Sequence, residues 1–298
     1  QTSTVNNQAN NALWQRMGHE PTHFGYAYDS NDENYIDINL SLKWSPHSNG
    51  VHPNLSSNSK TEYRCSWRWF TSGCLFLAFT TEQAFYFGTR DSSPVIGQRF
   101  NPEIFLRFWQ FGSGYLDIGF NHESNGQSID SQEEFEAKQR ELSNGEHEGP
   151  SAAKEFLSRN WNYWELTYKS RENIQLMGNA AYSYYLVGRY FIDTGSETSF
   201  DFEGNTNNTE RSEVDGLQFI GKRDGQCAAQ RHCLARKLVY SYTTGYENPF
   251  KYDAHRLEWG FTVDKWPITL WMHLGYNEDL IDFYRHVKSA GLSFEITG

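Results

Sequence analysis

The sequence lacks the long apolar run of a transmembrane helix and has little positive charge. No stretch of about 18 consecutive apolar residues occurs among its 298 residues, so a membrane-spanning helix is excluded. Lys and Arg number 26 against 37 Asp and Glu, which gives a net charge of −11. Because no basic patch stands out, nucleic acid is not an expected partner. A GxSxG nucleophile elbow and an HExxH zinc motif are also missing.

Cysteine is scarce, and its spacing argues against a metal site. The four cysteines form two local pairs, Cys65 with Cys74 and Cys227 with Cys233. Neither pair has CxxC spacing with nearby His residues, so zinc is not expected. Two disulfides formed in an oxidising periplasm are the favoured interpretation, and four unpaired thiols are the alternative.

Aromatic residues and alternating segments are, in contrast, abundant. Phe, Trp and Tyr make up 16% of the chain, and Trp and Tyr near strand ends are typical of the girdles of membrane barrels. Residues 36–44 show the alternation, with Ile, Leu and Trp between Asp, Asn, Ser and Lys. Low hydropathy is compatible with such strands, because half of each one faces a polar lumen.

Twelve such segments can be counted, an even number that would return both chain ends to the periplasm. The predicted fold class is therefore all-β, a twelve-stranded antiparallel transmembrane β-barrel. The predicted strands are His23–Tyr28, Ile36–Trp44, Leu75–Phe87, Glu103–Phe111, Tyr115–Gln127, Ser158–Tyr168, Gln175–Val187, Val214–Lys222, Leu234–Thr244, His255–Val263, Ile268–Leu274 and Ala290–Ile296.

The domain organisation predicted is one barrel with two additions. Residues 1–20 are polar and are expected to form an irregular periplasmic arm, and residues 21–298 form the barrel. Residues 128–157 are an acidic extracellular insertion. Within it, Ser131 and Glu134 could form a capping box for a short helix that ends near Leu142.

Residues 115–127 alternate between two faces, and the last residues of the apolar face are polar. With a period of two, one face holds Leu116, Ile118, Phe120, His122 and Ser124. The other face holds Asp117, Gly119, Asn121 and Glu123. Buried in a soluble core, a Ser–His pair could meet no substrate, whereas on the lipid-facing side of a barrel it would meet acyl esters. Ser124 is then the candidate nucleophile and His122 its general base.

A second alternating stretch, residues 158–168, supplies a third partner. Its apolar face holds Asn162, Trp164, Leu166 and Tyr168. If the two stretches form a hairpin, Asn162 can lie beside His122 across the ladder and hold its imidazole tautomer. The backbone N–H of Ser124 and the flexible backbone at Gly126 are candidate oxyanion donors. The alternative is that His122 and Ser124 are ordinary residues at the end of a strand.

The run HESNGQ at residues 122–127, followed by SRNWN at residues 158–162, resembles the signature of bacterial outer membrane phospholipase A. Residues 92–94 with 100–103 look like that family's second extracellular loop, and residues 275–283 are similar to its penultimate strand. The resemblance implies a twelve-stranded barrel with a Ser-His-Asn triad that depends on calcium. The insertion at 128–157 is the largest departure, since the family's loop is much shorter there.

The resemblance also implies calcium ligands. Ser158 matches the residue that offers its hydroxyl, Gln127 the position that gives a backbone carbonyl, and Ser92 the carbonyl ligand from a second subunit. Such oxygen ligands suit Ca²⁺, although Ser92 and Ser158 could be plain loop serines. Glu123 and Asp130 are acidic neighbours that could bind a second ion or could simply be solvated.

The function expected is that of a calcium-dependent outer membrane phospholipase with A1 and A2 activity. It would hydrolyse acyl esters of glycerophospholipids through an acyl-enzyme on Ser124, with the active site at the outer leaflet. The resemblance implies a homodimer as the active form, because the family builds its calcium and acyl-binding sites across two subunits. The alternative is a catalytically inactive outer membrane barrel, either a porin or an adhesin.

Overall fold

Twelve strands close into one antiparallel barrel in which each strand pairs with its neighbours in sequence and β1 pairs with β12. The structure is a computed structural model and describes residues 20–30, 34–45, 73–86, 95–111, 114–143, 150–170, 180–192, 209–225 and 232–296. The strands are β1 Thr22–Asp29, β2 Asn34–Trp44, β3 Gly73–Tyr86, β4 Val95–Phe111, β5 Gly114–Ser124, β6 Asn160–Lys169, β7 Ala181–Ile192, β8 Gly216–Asp224, β9 Cys233–Gly245, β10 Asp253–Val263, β11 Trp266–Gly275 and β12 Val287–Ile296. The predicted fold class and strand number are confirmed.

The strands are apolar outside and polar inside, as their alternation predicts. On β6, Trp164 and Leu166 are exposed, while their neighbour Tyr163 is buried. The buried polar side chains of the lumen include Asn39, Ser41, Asp117, Asn121 and Glu123. An outer surface of Leu, Ile, Phe and Trp is stable only where it contacts lipid, so this arrangement fits a barrel that spans a membrane.

Three predicted elements differ from the structure. The predicted strand Glu103–Phe111 already begins at Val95, so residues 100–103, matched to an extracellular loop, lie within β4 and pair with β3. The predicted strand Gln175–Val187 begins at Ala181 and continues to Ile192, where its backbone still pairs with Asn162 of β6. Arg189, in the added part, pairs with Glu165 across this ladder. Residues 171–179 lie outside the described residues. Residues 275–283, expected to match a strand, leave β11 at Gly275 and fold back into the lumen.

The residues 276–286 between β11 and β12 fill one end of the barrel, and we call them the plug loop. Leu280, Phe283 and Tyr284 are buried in a core shared with Trp161 and Tyr163 of β6. This is the end at which β5 finishes, and we call it the site end. Apolar burial inside a mostly polar lumen anchors the plug loop there.

The insertion carries a helix, α1 Gln132–Ser143, and a 3₁₀ segment, Pro150–Phe156. The Ser131 hydroxyl accepts a hydrogen bond from the N–H of Glu134 (3.3 Å), which confirms the predicted cap. The Glu134 carboxylate accepts from the N–H of Asp130 (3.3 Å) rather than from Ser131. Four buried side chains, Ile129, Phe135, Ala153 and Leu157, form a small core of its own.

A third, short helix, α2 Arg211–Val214, lies between β7 and β8. The polar composition of residues 189–212 predicts a loop there and gives no sign of the helix. None of the helices in the described ranges is long and apolar enough to cross a membrane.

Two of the four cysteines lie in described strands. Cys74 is in β3 and Cys233 begins β9, and neither is a free thiol. Cys65 and Cys227 lie outside the described residues. The two local pairings therefore stay predictions.

Candidate active site

His122 and Asn162 face each other across the β5–β6 ladder. They are direct register partners, and His122 Nδ1 lies 2.9 Å from Asn162 Oδ1. Since Asn121 and Glu123 on either side of His122 are buried in the lumen, His122 projects outward. When Nδ1–H donates to the Asn162 carbonyl, the other ring nitrogen, Nε2, carries the lone pair that a general base needs.

Ser124 stands two residues beyond His122 on the same outward face and is the last residue of β5. Its ladder partners are Asn160 on β6 and Phe100 on β4. Ser124 is half-buried, whereas Ile118 lower on the same face is exposed. The strand pairing therefore brings the three predicted triad residues to one small area of the outer surface, at the site end.

A fully buried asparagine, Asn125, fixes the chain directly after Ser124. Its amide Nδ2 donates to the carbonyl of Leu157 (2.8 Å), and its Oδ1 accepts from the N–H groups of Arg159 (2.9 Å) and Gln127 (3.3 Å). The Asn125 N–H donates to the carbonyl of Arg159 (3.0 Å). The sequence reasoning missed this residue, although an Asn before a Gly is a turn signal.

Gly126 turns the chain away from the strand. Its φ of +68° lies in the left-handed region, and an added Cβ would stand 3.1 Å from the ring of Phe100. Glycine is required there for both reasons. The turn leaves the Gly126 backbone exposed two residues beyond Ser124, and its role as an oxyanion donor stays a prediction.

Gln127 and Ser158 lie on two segments that run side by side between β5 and β6. The N–H of Ser158 donates to the carbonyl of Ile129 (2.7 Å), and Ile129 forms a bridge with Leu157. The Ser158 hydroxyl and the Gln127 carbonyl are oxygen ligands of the kind that Ca²⁺ prefers. Hydrogen bonds to Asn125 restrain the backbone of both segments. Ser92 lies outside the described residues, which contain no cluster of three or more His, Cys, Asp or Glu able to hold a metal ion.

Glu123 points away from this area and into the lumen, so the suggestion that it binds a second ion is wrong. Its carboxylate pairs with Arg99 (3.1 Å) and with Arg211 (3.0 Å). Both partners compensate the charge of a side chain that is only 4% exposed. Asp130, the other suggested ligand, remains exposed at the start of α1.

The charge network continues from Arg211 to Asp215, which follows α2. Asp215 pairs with Arg189 (2.9 Å) and Arg211 (3.3 Å). Burial alone would raise the pKa of Asp215, but the two guanidinium groups and the N–H of Gly216 hold it below its ordinary value. Asp215 is therefore ionised between two guanidinium groups on the inner side of the site end.

Comparison with solved structures relates this barrel to known proteins. The structure of the Salmonella typhi outer membrane phospholipase dimer with bound calcium has a TM-score of 0.61 at 14% identity, over 99% of this chain and 98% of that chain. This chain has the fold of outer membrane phospholipase A. The Escherichia coli enzyme gives 0.59 at 15% identity over 95% and 98%, and an active-site mutant of it gives 0.60 at 14% over 99% and 94%.

The resemblance to outer membrane phospholipase A suggested by HESNGQ is thus confirmed at the level of the fold. No protein-family model matches the sequence, and no curated protein is similar to it.

Proposed function

We propose that this protein is a calcium-dependent outer membrane phospholipase that hydrolyses acyl esters of glycerophospholipids at both the A1 and A2 positions. The observation that carries the proposal is the 2.9 Å contact of His122 with Asn162 on the outward face, with Ser124 two residues away. A base and its orienting amide at the end of an apolar surface have a clear use only if the substrate arrives from lipid. The fold shared with outer membrane phospholipase A supports the same reading.

In the proposed reaction, the Ser124 hydroxyl attacks the ester carbonyl while His122 Nε2 takes its proton. The tetrahedral intermediate places its oxyanion near the N–H groups of Ser124 and Gly126. The imidazolium then gives its proton to the departing lysophospholipid alkoxide, which leaves an acyl-enzyme. Water, deprotonated by His122, releases the fatty acid and restores Ser124.

Asn162 holds the imidazole in the tautomer with Nδ1–H and keeps Nε2 facing Ser124. A neutral amide stabilises an imidazolium less than a carboxylate would. It also avoids an ionised acid on the lipid-facing surface, where loss of hydration is costly. The choice of Asn therefore fits a site on the outside of a membrane barrel.

Calcium, when bound, supplies positive charge that stabilises the oxyanion. Ser158 would offer its hydroxyl and Gln127 its carbonyl, while the carbonyl of Ser92 of the partner subunit would complete the protein ligands. The protein would act as a homodimer on phospholipids of the outer leaflet.

The experiment that tests the proposal measures turnover of phospholipid in mixed micelles against calcium concentration. We expect the wild type to be active with calcium, Ser124→Ala to be inactive, and Ser128→Ala, a nearby exposed loop serine, to match the wild type. Substantial turnover by Ser124→Ala would refute the triad. A wild type without hydrolysis would favour an inactive barrel.

Calcium binding and dimer formation should strengthen each other by the same factor, since linkage is reciprocal. Sedimentation in detergent, with calcium or with chelator, measures this coupling. We expect calcium to promote the dimer in the wild type and in Ser128→Ala, and to do so far less in Ser158→Ala. If calcium leaves the wild-type dimer population unchanged, the shared site does not exist in this protein.

A further inference from the structure

Arg211, the first residue of α2, lies inside the barrel directly behind the proposed triad. It is 1% exposed, and its Nη2 donates to the Glu123 carboxylate at 3.0 Å. Its Nη1 donates to the side-chain carbonyl of Asn277 in the plug loop. The guanidinium also lies 5.1 Å from the centre of the Trp161 ring. One side chain thus connects β5, β6 and the plug loop.

The residues that Arg211 contacts are the immediate neighbours of the triad. Glu123 lies between His122 and Ser124, and Trp161 precedes Asn162. Glu123 and Trp161 are themselves register partners across the β5–β6 ladder. Because successive side chains point to opposite faces, a displacement of the inner pair tilts the outer residues on the same backbone.

We infer that Arg211 is a positioning residue for the proposed hydrolysis, holding the Glu123–Trp161 pair so that His122, Ser124 and Asn162 stay aligned on the outer face. The inference rests on the proposed function. Arg211 is buried on the lumen side, so it does not touch a substrate that reaches Ser124 from lipid. Its own position is fixed by Asp215, which Arg189 and Asn277 also bind.

The test compares Arg211→Met with Arg211→Lys in the full-length protein, assayed on phospholipid in mixed micelles with saturating calcium. A misplacement of about 1 Å at reacting groups costs on the order of 10²-fold in rate. We therefore expect Arg211→Met to lower kcat by about tenfold to a hundredfold while KM stays unchanged. Arg211→Lys keeps the positive charge but replaces the two separate donors, Nη1 and Nη2, with a single ammonium group. Its kcat should therefore be intermediate.

Glu123→Gln tests whether Arg211 acts through Glu123. Alone, it should lower kcat at least as much as Arg211→Met does, because it also weakens the ion pair of Glu123 with Arg99. In the double variant, kcat should be close to that of Glu123→Gln alone, because that change already breaks the contact that Arg211→Met removes. Independent, multiplying losses would contradict the inference.

A matched control is available on the same strand. Arg107 of β4 binds Asp117 of β5 through two hydrogen bonds, of 2.7 and 2.6 Å, six residues before Glu123. Arg107→Met removes an ion pair of the same kind, but far from the triad. It should lower the stability of the barrel and leave kcat unchanged.

Folding of each variant is checked by heat-dependent migration in detergent gels. If Arg211→Met does not fold, Arg211→Lys and Glu123→Gln carry the test. Wild-type kcat in these folded variants, a raised KM with unchanged kcat, or an equal loss of kcat in Arg107→Met would overturn the inference. Any of these three results leaves the proposed function intact, provided that the wild type is active and Ser124→Ala is inactive. An inactive wild type overturns both.

Discussion

The two faces of β5 carry different tasks at the same level of the barrel. Outside, His122 and Ser124 are only half-buried, and His122 has its hydrogen bond to Asn162. Inside, Glu123 is buried and is held by Arg99 and Arg211. In the proposed function the outer face presents the triad to lipid, while the buried ion pairs of the inner face hold the same stretch of backbone. Substitutions on the two faces should therefore have separable effects on rate and on stability.

Two asparagines, one on each face, provide the largest expected contrast. Asn162→Ala removes the 2.9 Å partner of His122, so kcat should fall by about 10²- to 10³-fold, less than the roughly 10⁴-fold loss when a triad carboxylate is replaced. Its stability should change little, because Asn162 is partly accessible on the outer surface.

Asn121→Ala, the matched inner change beside His122, should do the reverse. Asn121 is 1% exposed, so truncation leaves a cavity and should cost about 1–3 kcal/mol of stability while most of kcat remains. Both variants are measured for kcat and for urea unfolding. Equal losses of rate in the two variants would end the distinction between the faces.

A smaller effect concerns pH on the inner side. Glu278 and Asp279 of the plug loop line a lumen cavity of about 310 Å³, and burial raises their pKa values to about 7 and about 6. The folded state therefore holds these protons more tightly than the unfolded chain. Stability should be greatest below about pH 4 as far as these groups decide it, and should be lost as pH rises through 6 and 7.

Glu278→Gln removes that dependence in part, since the amide stays neutral and can still accept from Tyr35 and Ser289. At pH 8 the variant should gain on the order of 1–3 kcal/mol over the wild type, and at pH 4 about nothing. Thermal unfolding across this pH range gives the comparison. Glu136→Gln on the exposed face of α1 serves as the control and should show no gain at either pH. If the wild type and Glu278→Gln lose stability equally as pH rises, then Glu278 is not a source of the pH dependence.

The sequence predicts the outer face better than the inner one. A period of two places His122 and Ser124 together, and the ladder then brings Asn162 beside His122, so local patterning is sufficient. The contacts of Arg211 cannot be predicted in this way. They join residues 88 and 66 positions apart, from a loop helix and a plug loop that have no alternating pattern.

The same limit explains the errors. The sequence suggests Glu123 as an ion ligand, because its guanidinium partners lie on another strand and in a loop helix, where no local signal reveals them. Residues 275–283 resemble a strand in sequence, but their apolar side chains are buried in the lumen instead of alternating along the barrel wall. Asn125 was missed because its bonds run to residues 157 and 159.

The most direct measurement of the central claim is covalent labelling by a long-chain alkyl sulfonyl fluoride in mixed micelles with calcium, followed by peptide mass mapping. If the outward-facing triad is an esterase, the label should lie on Ser124 in the wild type, and its rate should fall steeply in His122→Ala, which removes the base. A wild type that takes no label, or one labelled on another serine at a rate indifferent to His122, would contradict the account.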